Sequence, residues 1–304
     1  MSKRTSRWAL AAFAVVGFIW GSNFLFMKWA AEEISPRQIA LLRVAFGLLP
    51  VLALGLARRE FRRWHLRHTV HFAVMGVLAT SLYYVLYAAG TERLPSGLAG
   101  ALSGAIPLFA FMVGAVALPT EPMTPRRVLG AFLGLAGVVM MARPWNVHGS
   151  VDPVGVLLMV TGSACVGASF VYTRRFITGL DIPPTALTTY QMALGLVALL
   201  PLTDLHGIGA IRGDHRALVG LVLGLGLVGT GLSYVIFYYL IAELGAATAS
   251  AASYLPPVVA LAIGWIGLGE PLRHADLAAV ALILLGVAII RAGARTYRAE
   301  RGTQ

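Results

Sequence analysis

The residues of this chain that could do chemistry are few, and most are neutral polar groups or rings set inside long apolar runs. Trp20-Gly21-Ser22-Asn23-Phe24 puts an indole and an amide in the middle of one run. Ser81, Tyr83, Tyr84 and Tyr87 interrupt another, and Ser233, Tyr234, Phe237, Tyr238 and Tyr239 a third. Tyr83 with Tyr87, and Tyr234 with Tyr238, are four apart, so on a helix each pair lies along one stripe. Ring faces with hydrogen-bonding tips are tools for binding an amphipathic or aromatic solute. The same residues also admit a packing role, with Trp20 beside the Gly17/Gly21 pair and the tyrosine hydroxyls bonded to neighbouring helices.

Arg43 is the one charge well inside an apolar run, roughly 9 Å from its nearer end at ~1.5 Å per residue. It could snorkel to the surface, pair with Glu92, or meet a substrate carboxylate. The acidic residues, thirteen in all, lie in loops or at the ends of apolar runs, and the seven histidines also avoid the run centres. Proton-coupled carriers commonly use a carboxylate or histidine within the membrane as a relay, so uniport or exchange is the expected mode. HExxH, GxSxG and P-loop patterns are absent and Cys165 is the only cysteine, so no enzyme activity, metal site or cofactor is expected.

The elements that position these residues follow from composition. With 58% hydrophobic and 12% charged residues, and a mean hydropathy of +0.78, the chain cannot hide its apolar surface in a water-facing globule. In a bilayer the backbone must close its own hydrogen bonds, and continuous rather than alternating apolar runs select helices over a barrel. Ten spans are expected, near 8–28, 37–57, 69–90, 95–118, 127–142, 154–173, 183–202, 217–242, 246–268 and 276–290, with the fifth and tenth the shortest.

The chain also repeats itself at about 150 residues. Leu102 to Met141 and Ala252 to Ile290 share one layout: a proline within an apolar run, a Glu-Pro pair, a basic turn and a Gly-rich apolar helix. The pairs are Glu121-Pro122 and Glu270-Pro271. The halves are taken as residues 1–149 and 150–304. Five spans per half is an odd number, so the second half starts from the opposite face and the fold class is an all-helical inverted repeat with a central site. Pro107, Pro256 and Pro257 then fall in mid-span at matching places, as hinges or static bends.

Sixteen lysines and arginines fall on the side that holds both termini and seven on the other, which places the termini in the cytoplasm. The net charge of +11 is mostly this topological signal. Its arginines are spread over separate loops, so nucleic acid is not an expected partner; the lipid bilayer and a small solute are.

The layout resembles the EamA family of the drug/metabolite transporter superfamily, through the Trp20 to Phe24 opening, Arg43 in the second span and the two Glu-Pro pairs. The tyrosine-rich third and eighth spans look most like its YddG-type aromatic amino acid exporters. That resemblance implies efflux across a bacterial inner membrane by alternating access, with drugs or other small metabolites, possibly under proton coupling, as the other reading. It also implies a cavity lined by Trp20, Asn23, Tyr83, Tyr87, Ser103, Ser169, Tyr172, Tyr234, Tyr238 and Tyr254. Opposite the Trp20 motif stands Gly167-Ala168-Ser169-Phe170-Val171, so the cavity should be asymmetric.

An even span count makes a topological prediction. Reporter fusions at residues 1 and 304 should both report the cytoplasmic face; opposite faces would remove one span from the reading.

Overall fold

The computed structural model describes residues 7–118, 124–143, 151–244 and 249–302. Eight helices among them are long and apolar enough to cross a bilayer: α1 Arg7–Ala31, α2 Pro36–Ala57, α3 Arg63–Arg93, α4 Ser96–Ala117, α5 Pro125–Ala142, α6 Pro153–Ile177, α7 Pro184–Leu202 and α8 His215–Leu244. Two shorter apolar helices, α9 Ala252–Leu268 and α10 His274–Ile290, complete the set.

Local chemistry sets several starts. Ser35 and Gln38 form a reciprocal capping box before α2, Thr124 caps α5, and Asp152 caps α6. Proline opens α2, α5, α6 and α7, where its missing N–H costs nothing. The Thr124 cap starts α5 two residues before Arg127 and gives it 18 residues. α5 is therefore long enough to cross, and α10 lies in a longer helix, His274–Gly302, rather than stopping at the charge boundary expected from the sequence.

Packing partners exchange under a shift of five helices. α1 lies on α8 and α9 as α6 lies on α3 and α4, and α2 packs on α8 as α7 packs on α3. α4 meets α9, and α5 meets α10. Because each half holds five helices, this internal two-fold relates halves that run in opposite directions across the membrane.

The α5–α10 contact is a backbone-to-backbone approach. A Cβ on Gly286 would lie 2.4 Å from the Gly130 carbonyl, and one on Gly137 would lie 2.7 Å from the Ala279 carbonyl. In a bilayer, helices gain little from hiding apolar surface from each other, so this close fit is the main source of their cohesion.

Irregular turns recur at matched places. α4 runs helically over Ser96–Leu102, tightens into a 3-10 turn at Ser103–Ala105, and resumes at Ile106 with Pro107 in its first turn. The chain before α9 does the same, with a 3-10 turn at Ser250–Tyr254 followed by Pro256 and Pro257. π-helical winding occurs at Val77–Ser81 in α3 and over Gly220–Leu232 in α8. Such winding leaves carbonyls for side chains: the hydroxyls of Ser81 and Thr230 donate to the Gly76 and Leu225 carbonyls, each five residues back.

On the side of the α3–α4 and α9–α10 turns, the Glu270 carboxylate accepts hydrogen bonds from the backbone N–H groups of Ser96 and Gly97, at 2.6 and 2.8 Å. It caps α4, which has no side-chain cap of its own, and sits where the helix dipole favours an anion. Its counterparts Glu121 and Pro122 lie outside the described residues. On the same side, Arg93 bonds Asp152 at 3.0 Å and holds that exposed carboxyl below its usual range.

Gly286→Leu should break the α5–α10 seam. We expect a lower unfolding midpoint in detergent, by the equivalent of roughly 2 kcal/mol or more, as overpacking against backbone commonly costs; an unchanged midpoint would show that the seam adds no stability.

Candidate substrate site

The central feature is a buried cation without an anion. Arg43 reaches inward from α2 and is 5% exposed. Its Nε donates to the Thr230 hydroxyl at 2.9 Å, its Nη1 lies 3.9 Å from the Met27 sulfur, and its guanidinium carbon stands 3.9 Å over the centre of the Tyr84 ring. No carboxylate lies within ion-pair distance of it among the described residues. Two of the sequence alternatives fail here. Glu92 is exposed and meets Lys28 through its carbonyl, 3.0 Å away, and burial of the Arg43 head rules out snorkelling. A guanidinium has five N–H donors, and this one spends few of them on strong acceptors.

Asn23 sits beside it. Its amide nitrogen donates to the Gly229 carbonyl at 3.2 Å, while its side-chain oxygen is buried with no hydrogen-bond partner. Gly229 and Thr230 are adjacent in the π-wound part of α8, so one stretch of chain positions both Asn23 and Arg43. Trp20 donates its indole N–H to Ser233 at 3.0 Å and stacks at a tilt on Phe237, with ring centres 5.3 Å apart.

Tyrosines complete the surround. Tyr83 and Tyr84 from α3 and Tyr234 from α8 share one apolar cluster with Val44 and Met192. The Tyr83 ring lies 4.7 Å from Tyr84 and 4.5 Å from Tyr87. Tyr234 and Tyr238 are 6.1 Å apart along α8, and Tyr238 shares a hydrogen bond with Thr188.

The fold therefore brings Tyr83 and Tyr234 into the cluster around Arg43, sets Asn23 and Trp20 of α1 against the adjoining turns of α8, and takes other expected residues elsewhere. Tyr87 stays next to this group, its ring against Tyr83, but is fully buried with its hydroxyl 2.8 Å from Ser163. Ser103 and Ser169 donate to carbonyls of their own helices, Gly100 and Val166. Tyr172 bonds His71 at 2.8 Å, where the end of α6 meets the first part of α3. Tyr254 packs, half-buried, against the large core cluster that includes α4 and α9.

The equivalence of the two tyrosine stripes is also shifted. Thr80 and Thr230 make the same contact with a glycine of the partner half, Gly195 and Gly47. Tyr84 and Tyr234 each follow four residues later, so Tyr84 rather than Tyr83 matches Tyr234. Thr80 and Thr230 carry no periodic signal in the sequence. Their one mark is a hydroxyl just ahead of a tyrosine-rich stretch.

A separate pocket of about 60 Å³ opens near the Glu270 cap, lined by Gly97, Trp265, Glu270 and Asp276 among others. It is far smaller than the roughly 300–1,000 Å³ of sites that enclose small molecules.

This arrangement can be set beside known proteins. The family description "EamA-like transporter family" matches residues 7–143 and again 153–292. The chain belongs to that family. This EamA-like chain is 28% identical to an uncharacterized transporter of Archaeoglobus fulgidus, across 93% of its own length and 98% of the relative's. It is 27% identical to a probable terminal-alkyne amino-acid exporter of Streptantibioticus cattleyicolor, across 97% and 96%. It is 25% identical to the uncharacterized inner membrane transporter YedA of Escherichia coli strain K12, across 93% and 90%. A solved crystal structure, 22% identical, superposes with a TM-score of 0.63 over 95% of this chain and 98% of that one, and shows the fold. The EamA-like chain is thus a multi-pass membrane transporter with a buried arginine that meets no carboxylate among its described residues.

A buried charge with no counter-ion is expensive, so its removal should not harm the fold. Arg43→Met should insert into the membrane and unfold within about 1 kcal/mol of the parent; collapse of the folded protein would instead make Arg43 a structural keystone.

Proposed function

We propose that this transporter exports amino acids with aromatic or large apolar side chains across a bacterial inner membrane. The observation that carries the reading is Arg43, buried against aromatic rings with no carboxylate partner among the described residues. A substrate carboxylate supplies the missing anion through charge-assisted hydrogen bonds. The Asn23 oxygen, buried and unpartnered, is an acceptor for the substrate's ammonium group. Trp20, Tyr83, Tyr84 and Tyr234 offer ring faces to the side chain. A cationic drug without a carboxylate fits less well, because Arg43 would repel it. The amino-acid exporter among the relatives supports the same substrate class.

Alternating access would come from the internal two-fold. The 3-10 turns ahead of Pro107 and of Pro256 and Pro257 act as the paired hinges about which α4 and α9 rock. With no carboxylate in the centre of a described helix, the carrier runs as a uniporter or exchanger. The arginine-rich ends place both termini in the cytoplasm.

Counterflow of labelled phenylalanine and tryptophan into liposomes carrying the purified protein, with no pH gradient, tests this. Accumulation above equilibrium when unlabelled substrate is inside is the expected result, and Arg43→Met should lower it at least tenfold. Absence of both counterflow and binding would give the role to another class of metabolite or drug, and a fixed proton flux per substrate would overturn uncoupled transport.

A further inference from the structure

Arg43 has a counterpart in the second half. Pro36 to Gly47 (PRQIALLRVAFG) and Pro184 to Gly195 (PTALTTYQMALG) align without a gap. A proline opens each helix, and Arg43 and Gln191 are each the eighth residue, four before a glycine. The two glycines make the same contact across the two-fold. A Cβ on Gly47 would lie 2.7 Å from the Thr230 methyl, and one on Gly195 would lie 2.9 Å from the Thr80 methyl. Both threonines stand in π-wound stretches, Gly220–Leu232 and Val77–Ser81.

The two copies differ in how their polar groups are satisfied. Where α2 meets α8, Arg43 bonds the Thr230 hydroxyl. Where α7 meets α3, the equivalent bond is missing. The Thr80 hydroxyl is 1% exposed and has no partner. The Gln191 side chain is 4% exposed and makes no hydrogen bond among the described residues. An unsatisfied buried polar group costs roughly 1–3 kcal/mol, so the Thr80 hydroxyl, on the helix packed against the Gln191 turn of α7, asks for a ligand.

We propose that Gln191 and Thr80 form a second holding point for the substrate carboxylate, a role that depends on Arg43 being the amino acid's anchor as proposed above. The Gln191 amide and the Thr80 hydroxyl both donate, and the internal two-fold presents them as Arg43 and Thr230 are presented. α2 and α7 start from opposite faces. At ~1.5 Å per residue each point lies roughly 10 Å inside its own surface, which leaves about 10 Å between them across a ~30 Å core. The carboxylate is held at Gln191 on the Pro184 side and at Arg43 on the Pro36 side, so the substrate crosses the midplane in one short step. A neutral amide at the first point holds the anion less tightly than a guanidinium, so the head group can pass on.

Sided transport measurements test this. In oriented vesicles, the KM for labelled phenylalanine on the Pro184 face should rise about fivefold or more in Gln191→Leu, while the KM on the Pro36 face stays within twofold. Gln191→Glu, of equal size but anionic, should raise the first KM further. Thr80→Val, a smaller change, should repeat the one-sided effect if Gln191→Leu lowers the amount of folded protein. Equal changes on both faces, or none on either, in a protein that carries phenylalanine would overturn the second holding point alone. No phenylalanine flux in the parent protein would overturn it together with the amino acid reading.

Discussion

The candidate substrate site is arranged around a buried guanidinium that meets no carboxylate among the described residues. Arg43 is held by the Thr230 and Tyr83 hydroxyls, the Met27 sulfur and the Tyr84 ring face, all on helices other than its own. Thr230 must be wound so that its hydroxyl both donates to Leu225 and accepts from Arg43, which the π-helical stretch of α8 allows. Tyr84 must present a ring face, so α3 must bring it close to α2. Met27 and Asn23 on α1 then close the other side. The site is thus a junction of four helices from both halves rather than a feature of one.

Close approach makes that junction possible. Gly47 lets Thr230 press on the backbone of α2, and Gly195 lets Thr80 press on α7. Gly130, Gly137 and Gly286 bring α5 and α10 together in the same way. Lipid tails are as apolar as the helices, so hydrophobic burial gives little preference for one partner over another, and geometry at glycines decides which faces meet. The internal two-fold repeats these contacts, while the side chains near them are free to diverge. Arginine stands on one side of the two-fold and glutamine on the other.

Much of the fold was legible before the structure. Apolar runs of membrane length, the doubled Pro and Glu-Pro layout and the odd number of spans per half identify an all-helical inverted repeat, because each rests on local composition or parity. The site was legible only in part. Trp20, Asn23, Tyr83 and Tyr234 were visible as polar or aromatic interruptions of apolar runs; the two tyrosines share one cluster with Tyr84, on which Arg43 rests, and Trp20 and Asn23 bond α8 nearby. Tyr87, Ser103, Ser169 and Tyr172 carry the same signal, yet their polar atoms are taken by Ser163, by carbonyls of their own helices and by His71. A polar atom's partner in space is not written in its own neighbourhood along the chain.

The sequence by itself determined that the chain lives in a bilayer, that it is helical, that it is doubled, and that one arginine lies deep within it. Those properties follow from hydropathy, charge and repetition, which are sums over residues and need no coordinates. Only the tertiary structure decided that Arg43 meets Thr230 and Tyr84 rather than Glu92, which of the two tyrosine registers matches, and that the Thr80 hydroxyl is left unsatisfied. Each of those is a contact between helices distant in sequence, selected by where two backbones can approach, and no single segment contains that information.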